Sequence, residues 1–190
     1  MKHRLSVLIL GLAAVASLNA CTPLIVGGAA TGAIMADDRR TSATYLMDQE
    51  IELKAANRLR DANLNGVYAS FTSFNRRVLI TGEATSEALK SQVSDIARGV
   101  TNVRDVINEM TIGTPLGFSA HTNDAYITSK VKAQLVDTKG VDFNHIKVVT
   151  ENGDVFLMGL VNHAEGDAAA EAAARTSGVK RVVKVYEYLD

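Results

Sequence analysis

Tryptophan is absent from this 190-residue chain, proline occurs twice, cysteine once, and aromatic residues make up only 5% of it. A single cysteine, Cys21, excludes an intrachain disulfide. No excess of either charge is present: 20 basic residues face 21 acidic ones, and setting aside Lys2 and Arg4, in a segment expected to be removed, leaves 18 against 21. That balance excludes a protein whose net charge grips a nucleic-acid backbone. Attraction to an anionic surface would have to come from a local patch. Catalytic signatures are missing as well. There is no GxSxG elbow, P-loop or GxGxxG. His121, His145 and His163 lack metal-ligand spacing, and the carboxylates cannot be paired on one face. The sequence therefore predicts no enzyme, no cofactor and no metal site.

No run in the sequence, the N-terminal one included, is long enough to span a bilayer comfortably. Met1-Lys2-His3-Arg4 is a positive n-region, and Leu5 to Ala16 is an apolar stretch of signal-peptide length. Leu18-Asn19-Ala20-Cys21 follows, which resembles the bacterial lipobox, with Cys21 the residue expected to be lipidated. Thr22 stands where Asp would imply retention at the inner membrane, so the resemblance implies outer-membrane sorting. A multiply acylated cysteine is enough for stable anchoring. The Gly/Ala-rich stretch from Leu24 to Ala36 and the charge run Asp37-Asp38-Arg39-Arg40 read as a flexible, solvated tether. Its reach as a random coil is roughly 25–30 Å, and Arg39 and Arg40 are free to touch headgroups.

The rest of the chain repeats. Ile51, Lys54 and Leu59 match Ile127, Lys130 and Leu135 at an offset of 76; Val78-Leu79-Ile80-Thr81-Gly82 matches Val155-Phe156-Leu157-Met158-Gly159 at 77; Val103 to Ile107 matches Val179 to Val183 at 76. Each copy predicts the order αββαβ. A helix, capped by Asn123 in the second copy, precedes strands at Tyr68–Phe74 and Val78–Glu83, or Ile146–Thr150 and Val155–Val161. Asn152-Gly153 is a hairpin signal. Gly82 and Gly159 lie inside strands, where glycine implies a close backbone approach. A second helix, with Gly99 or Gly178 expected to end it, leads to a last strand at Val103–Ile112 or Val179–Leu189. The fold class is α+β, each copy a small mixed three-stranded sheet packed against two helices. The predicted organisation is a signal peptide at 1–20, a lipidated N-terminus and tether at 21–42, domains at 43–112 and 122–190, and a Gly/Pro-punctuated linker at 113–121. Copies this small gain from packing on each other.

The first helix of the second copy is unusual. Ile127, Val131 and Leu135 form one stripe, which should face the core. The opposite face carries Tyr126, Ser129, Ala133 and Val136, with Lys130 and Lys132 on its flanks. Scattered surface residues can produce such a face. The first copy argues against that, because its equivalents are Glu50, Leu53, Asn57 and Arg60 behind the kept stripe Ile51, Ala55 and Leu59. A surface that folding required to be apolar would be apolar in both copies.

The αββαβ order, the glycine in the second strand and Gly178-Val179 before the last strand resemble the BON domain. Two such domains behind a lipobox and a Gly/Ala tether resemble the dual BON-domain lipoproteins of the bacterial outer membrane. That resemblance implies a periplasm-facing outer-membrane lipoprotein that binds anionic phospholipid of the inner leaflet through the second domain. It also implies enrichment at division sites, support of barrier integrity and a link to the outer-membrane protein assembly machinery. The lipid-contacting helix of the family corresponds to Tyr126 onwards, where tryptophan is often found. Tyrosine also suits an interface, its ring in the apolar boundary and its hydroxyl wet. The residues expected to meet phospholipid are Tyr126, Ser129, Lys130, Lys132, Ala133 and Val136. An envelope protein meeting the same helix face is the alternative.

Overall fold

The structure, a computed structural model, describes residues 38–190 apart from Leu116 and the side chains of Phe118 and Ser119. The signal peptide, Cys21 and most of the tether lie outside the described residues. No helix among those described is long and apolar enough to cross a membrane.

Both copies adopt αββαβ. In the first, α1 (Ser42–Ala62) leads to the antiparallel pair β1 (Val67–Phe74) and β2 (Arg77–Ala84); α2 (Glu87–Arg98) then crosses over to β3 (Asp105–Asn108) and β4 (Thr111–Ile112), both parallel to β2. In the second, α3 (Phe118–Val136) leads to β5 (Ile146–Glu151) and β6 (Asp154–Val161), and α4 (His163–Ala174) crosses to β7 (Arg181–Tyr188), parallel to β6.

The local chemistry explains the turns. Asn152 and Gly153 take φ of 50° and 80°, and Asn75 and Arg76 take 52° and 63°. Two successive positive φ values give the tight hairpin whose twist matches its strands. Arg76 does this without a glycine, at a cost that the contacts around the turn must cover. Gly159 sits against a backbone: a Cβ there would lie 2.6 Å from the His145 carbonyl oxygen, and one on Gly82 would collide with that of Tyr68. Gly99 does not end its helix in a left-handed conformation, since its φ and ψ are −71° and −10°. The left-handed residue of that turn is Asn102 (φ 72°), which matches Gly178 (φ 96°) at the repeat offset.

The last strand of the first copy is broken, unlike the predicted run to Ile112. The Asn108 amide donates to the Lys90 carbonyl and to Ser94 Oγ, and its Oδ1 accepts the Met110 N–H at 3.0 Å. That local bonding interrupts the ladder while Met110 turns into the core.

Each sheet buries one face under its helices. Ile51, Ala55, Val78, Ile80 and Val93 form that core in the first copy; Ile127, Val131, Leu135, Val155, Leu157 and the alanines of α4 form it in the second. The other faces meet each other. Phe74 and Leu79 pack on Phe156, Met158, Leu160 and Val185. Covering six such side chains contributes at most about 18 kcal/mol to holding the copies together. Polar contacts frame the seam: Lys147 Nζ to Glu52 at 2.7 Å, Asn75 to Glu187 at 3.0 Å, Arg77 to the Tyr186 carbonyl at 3.0 Å, and an Arg104–Glu187 pair.

Candidate functional site: the second-copy helix face

Helix α3 starts at Phe118, earlier than the sequence suggests, with Gly117 (φ −83°, ψ 170°) at its N-cap position and no side-chain cap. Nothing from Phe118 to Thr122 breaks a helix, so it runs back to the Gly/Pro segment. Asn123 is accordingly an exposed residue within the helix and not its cap.

Its neighbour Asp124 has the larger role. Asp124 is 5% exposed. Its two oxygens accept the N–H groups of Asn152 and Gly153, each at 2.8 Å, so it satisfies the turn of the β5–β6 hairpin. Asp48, one repeat earlier, does the same for Asn75 and Arg76 at 2.8 and 2.7 Å. The matching aspartates were visible in the sequence at the 76-residue offset, but a buried carboxylate serving a turn has no local pattern.

The stripe Ile127, Val131 and Leu135 is fully buried, and the opposite face is open as expected. Tyr126 is 62% exposed and Val136 56%. Ser129, Lys132 and Ala133 are exposed between them. Ser129 Oγ donates to the Tyr126 carbonyl at 2.7 Å, which turns its hydroxyl back onto the helix. The two lysines differ. Lys130 Nζ donates to the Ser177 carbonyl and stands 4.7 Å from the Tyr126 ring centre, so it is already engaged. Lys132, on the other flank, lines a cavity of about 330 Å³ with Asp38, Arg40, Tyr45, Gln49 and Lys147. The first-copy counterpart of this face is internally paired: Glu50 bridges to Lys54 at 2.5 Å and Arg60 donates to Asn57. Phe143, in a short 3₁₀ turn after α3, is 43% exposed and was missed in the sequence because it lies outside any periodic stripe.

Arg39 and Arg40 are not solvated tether. Arg40, its side chain 7% exposed, donates to Asp48 at 2.8 Å and to Asp38, and its guanidinium lies 3.9 Å from the Phe74 ring centre. Burial pushes the Asp38 carboxyl up, but its bonds to Arg40 more than offset that and hold it below the usual range. Arg39 reaches the second copy, donating to the Leu160 carbonyl and to Glu165, each at 2.6 Å. Glu165 also accepts from the Asp142 N–H and bonds His145 Nδ1 at 3.1 Å. Burial raises its carboxyl, and these donors overcome the rise and lower it. The segment before α1 thus clasps both copies, through partners too distant in sequence to be foreseen.

At the N-terminal end of α3, His121 comes near Asp124 and Glu151, although histidine spacing alone shows no such set. Their nearest ligand-type atoms lie within 4.8 Å of one another. The His121 ring rests on Tyr68 of the first copy, centroids 4.5 Å apart. Burial pushes the Glu151 carboxyl up, a hydrogen bond from Thr81 works against that, and Glu83 and Asp124 raise it further.

The BON domain profile matches residues 48–114 and 123–189. Among curated relatives, the outer membrane lipoprotein DolP of Haemophilus influenzae is 35% identical over 175 residues, covering 91% of each chain. The 21 kDa hemolysin of Actinobacillus pleuropneumoniae is 33% identical over 154 residues, covering 80% of this chain and 79% of its own. Osmotically-inducible protein Y of Escherichia coli is 29% identical over 145 residues, covering 73% and 71%. A solved structure of CdsD, a structural protein of the Chlamydia trachomatis type III secretion system, aligns at 12% identity with a TM-score of 0.31, covering 74% of this chain and 92% of its own, too low to bear on the fold.

Proposed function

The chain belongs to the BON-domain family, of which it carries two copies, and on that footing we propose that it is a non-enzymatic outer-membrane lipoprotein that docks on anionic phospholipid through α3. The observation that carries this reading is the contrast between matched helix faces. Tyr126 and Val136 stand exposed over a fully buried stripe, while the same positions of α1 hold Glu50 and Arg60. The naming of a close relative as an outer membrane lipoprotein, and a lipobox-like sequence at Cys21, support the cellular setting. Support of envelope integrity and enrichment at division sites belong to the same reading.

The energetics suit an anchored protein. Seating the exposed parts of Tyr126 and Val136 in the apolar boundary contributes about 1–1.5 kcal/mol each, and a lysine at an anionic surface about 1 kcal/mol. The sum of about 3–4 kcal/mol corresponds to an affinity of roughly a millimolar or weaker. Such a contact is useful only when a lipid anchor raises the local concentration of membrane.

Co-sedimentation of the unlipidated body with vesicles tests this. Binding should need anionic lipid, weaken with salt, and drop about tenfold or more in Tyr126→Glu, which loses the ring and adds a charge. Equal binding to neutral vesicles, or an unaffected Tyr126→Glu protein, sinks the lipid reading. Loss of an envelope protein from a pull-down on the same substitution, with vesicle binding intact, transfers the face to a protein partner such as the outer-membrane assembly machinery.

A further inference from the structure

We propose that His121, Asp124 and Glu151 form a binding site for a divalent cation of the zinc class, at the seam between the two domains. The donor atoms lie within 4.8 Å of one another, and His121 Nδ1 is 3.8 Å from Glu151 Oε1. Donors about 2.0–2.2 Å from a tetrahedral zinc ion stand roughly 3.3 Å apart, so small side-chain rotations close the set. One imidazole and two carboxylates suit zinc better than calcium or magnesium, which favour all-oxygen shells.

Two separate observations point to a cation. Glu151 Oε1 is closed off from solvent and has no hydrogen-bond partner; His121 Nδ1, at 3.8 Å, lies beyond hydrogen-bond reach. A carboxylate oxygen in that position is costly unless something positive meets it. The first copy then shows what the second lacks. Asp48 serves its hairpin turn as Asp124 does, and Asp48 also has a guanidinium, Arg40, at 2.8 Å. Among the described residues no lysine or arginine pairs with Asp124 or Glu151. Where one copy supplies a fixed cation, the other supplies an imidazole and a second carboxylate.

The surroundings are those of a ligand set held from behind. Backbone N–H groups of the hairpin orient Asp124, and Tyr68 supports the His121 ring. Each oxygen of Asp124 accepts one N–H, which leaves it lone-pair capacity for a metal. A bound ion would join the start of α3 to the end of β5, just before Tyr126 on the same helix.

The test uses the full lipidated chain in detergent, stripped with a chelator and titrated with Zn²⁺. Calorimetry and elemental analysis should give one zinc per chain, with a rise in Tm that saturates at one equivalent. His121→Ala and Glu151→Gln should each weaken zinc binding about tenfold or more. Glu151→Gln removes a buried charge, so its metal-free Tm should not fall, which separates lost ligation from lost folding. His163→Ala, at the exposed histidine that opens α4, should leave binding unchanged. Absence of stoichiometric zinc, unchanged affinity in both ligand variants, or dependence on His163 overturns the assignment, as does an equal response to Ca²⁺.

Discussion

Replacing Arg40 by alanine should destabilise the folded body by about 3–5 kcal/mol, the usual result of breaking a buried charge pair from one side. The structure supplies each part of that figure. Both partners are enclosed, with side chains 7% and 3% exposed. Asp48 would keep its bonds from Ser73, Asn75 and Arg76 but lose its paired cation. The stack on Phe74 goes as well, and a desolvated cation–ring contact is worth about 1–2 kcal/mol. Arg40→Lys restores the charge without the planar fork and should recover part of the loss. Urea unfolding at neutral pH would show a lower midpoint at an unchanged slope. For a body of this size the alanine variant should melt roughly 6–20 °C lower. The difference has a pH signature. The Asp38 carboxyl sits below its ordinary range because of Arg40. A depressed folded-state value stabilises above the unfolded value and is lost as pH falls through the folded one. The gap between native and Arg40→Ala proteins should therefore narrow in acid. An alanine variant within about 0.5 kcal/mol of the native protein, the range expected of a surface change, would refute the clasp and return these residues to the solvated tether.

Glu151→Gln should raise Tm at neutral pH in metal-free buffer. Its carboxyl is pushed up by burial and by Glu83 and Asp124, so the charged form opposes folding, and the gain should vanish as pH falls to where the native group is protonated. Lys132→Ala should weaken anionic-vesicle binding about fivefold, the equivalent of about 1 kcal/mol; Lys130→Ala should do less, because Lys130 is already held by the Ser177 carbonyl and the Tyr126 ring, and a reversed order in co-sedimentation would contradict this. Gly159→Ala should cost about 2 kcal/mol or more by thermal melting, since its Cβ would press on the His145 carbonyl oxygen.

What the sequence revealed divides by distance along the chain. The repeat, the first two strands of each copy, the Asn152-Gly153 turn and the two faces of α3 follow from periodicity and turn chemistry, and the structure has them. Asp37-Asp38-Arg39-Arg40 has the composition of a linker, yet Arg39 bonds to Glu165, far along the chain. Composition cannot register such a partner. Asn123 looked like a cap because polar residues before an apolar stripe usually are, but the helix had no reason to stop there. The break before Met110 depends on Asn108 finding α2, again a tertiary contact. His121, Asp124 and Glu151 come from a helix and the end of a strand, so their meeting is a product of the fold alone.

Asp124 and Tyr126 stand two residues apart, about 200° around the helix. Asp124 therefore acts as a key in a shaft. It locks the back of α3 to the hairpin and fixes the direction in which the front looks; a slip of one residue would swing Tyr126 about 100° aside. Asp48 is the same key in α1, behind a front painted with charge. Because orientation is set from behind, the outward side chains carry no part of it. The face at 126, 129, 133 and 136 can be rewritten for a different surface while the domain beneath keeps its shape, and the two copies in this chain are one frame with two coats.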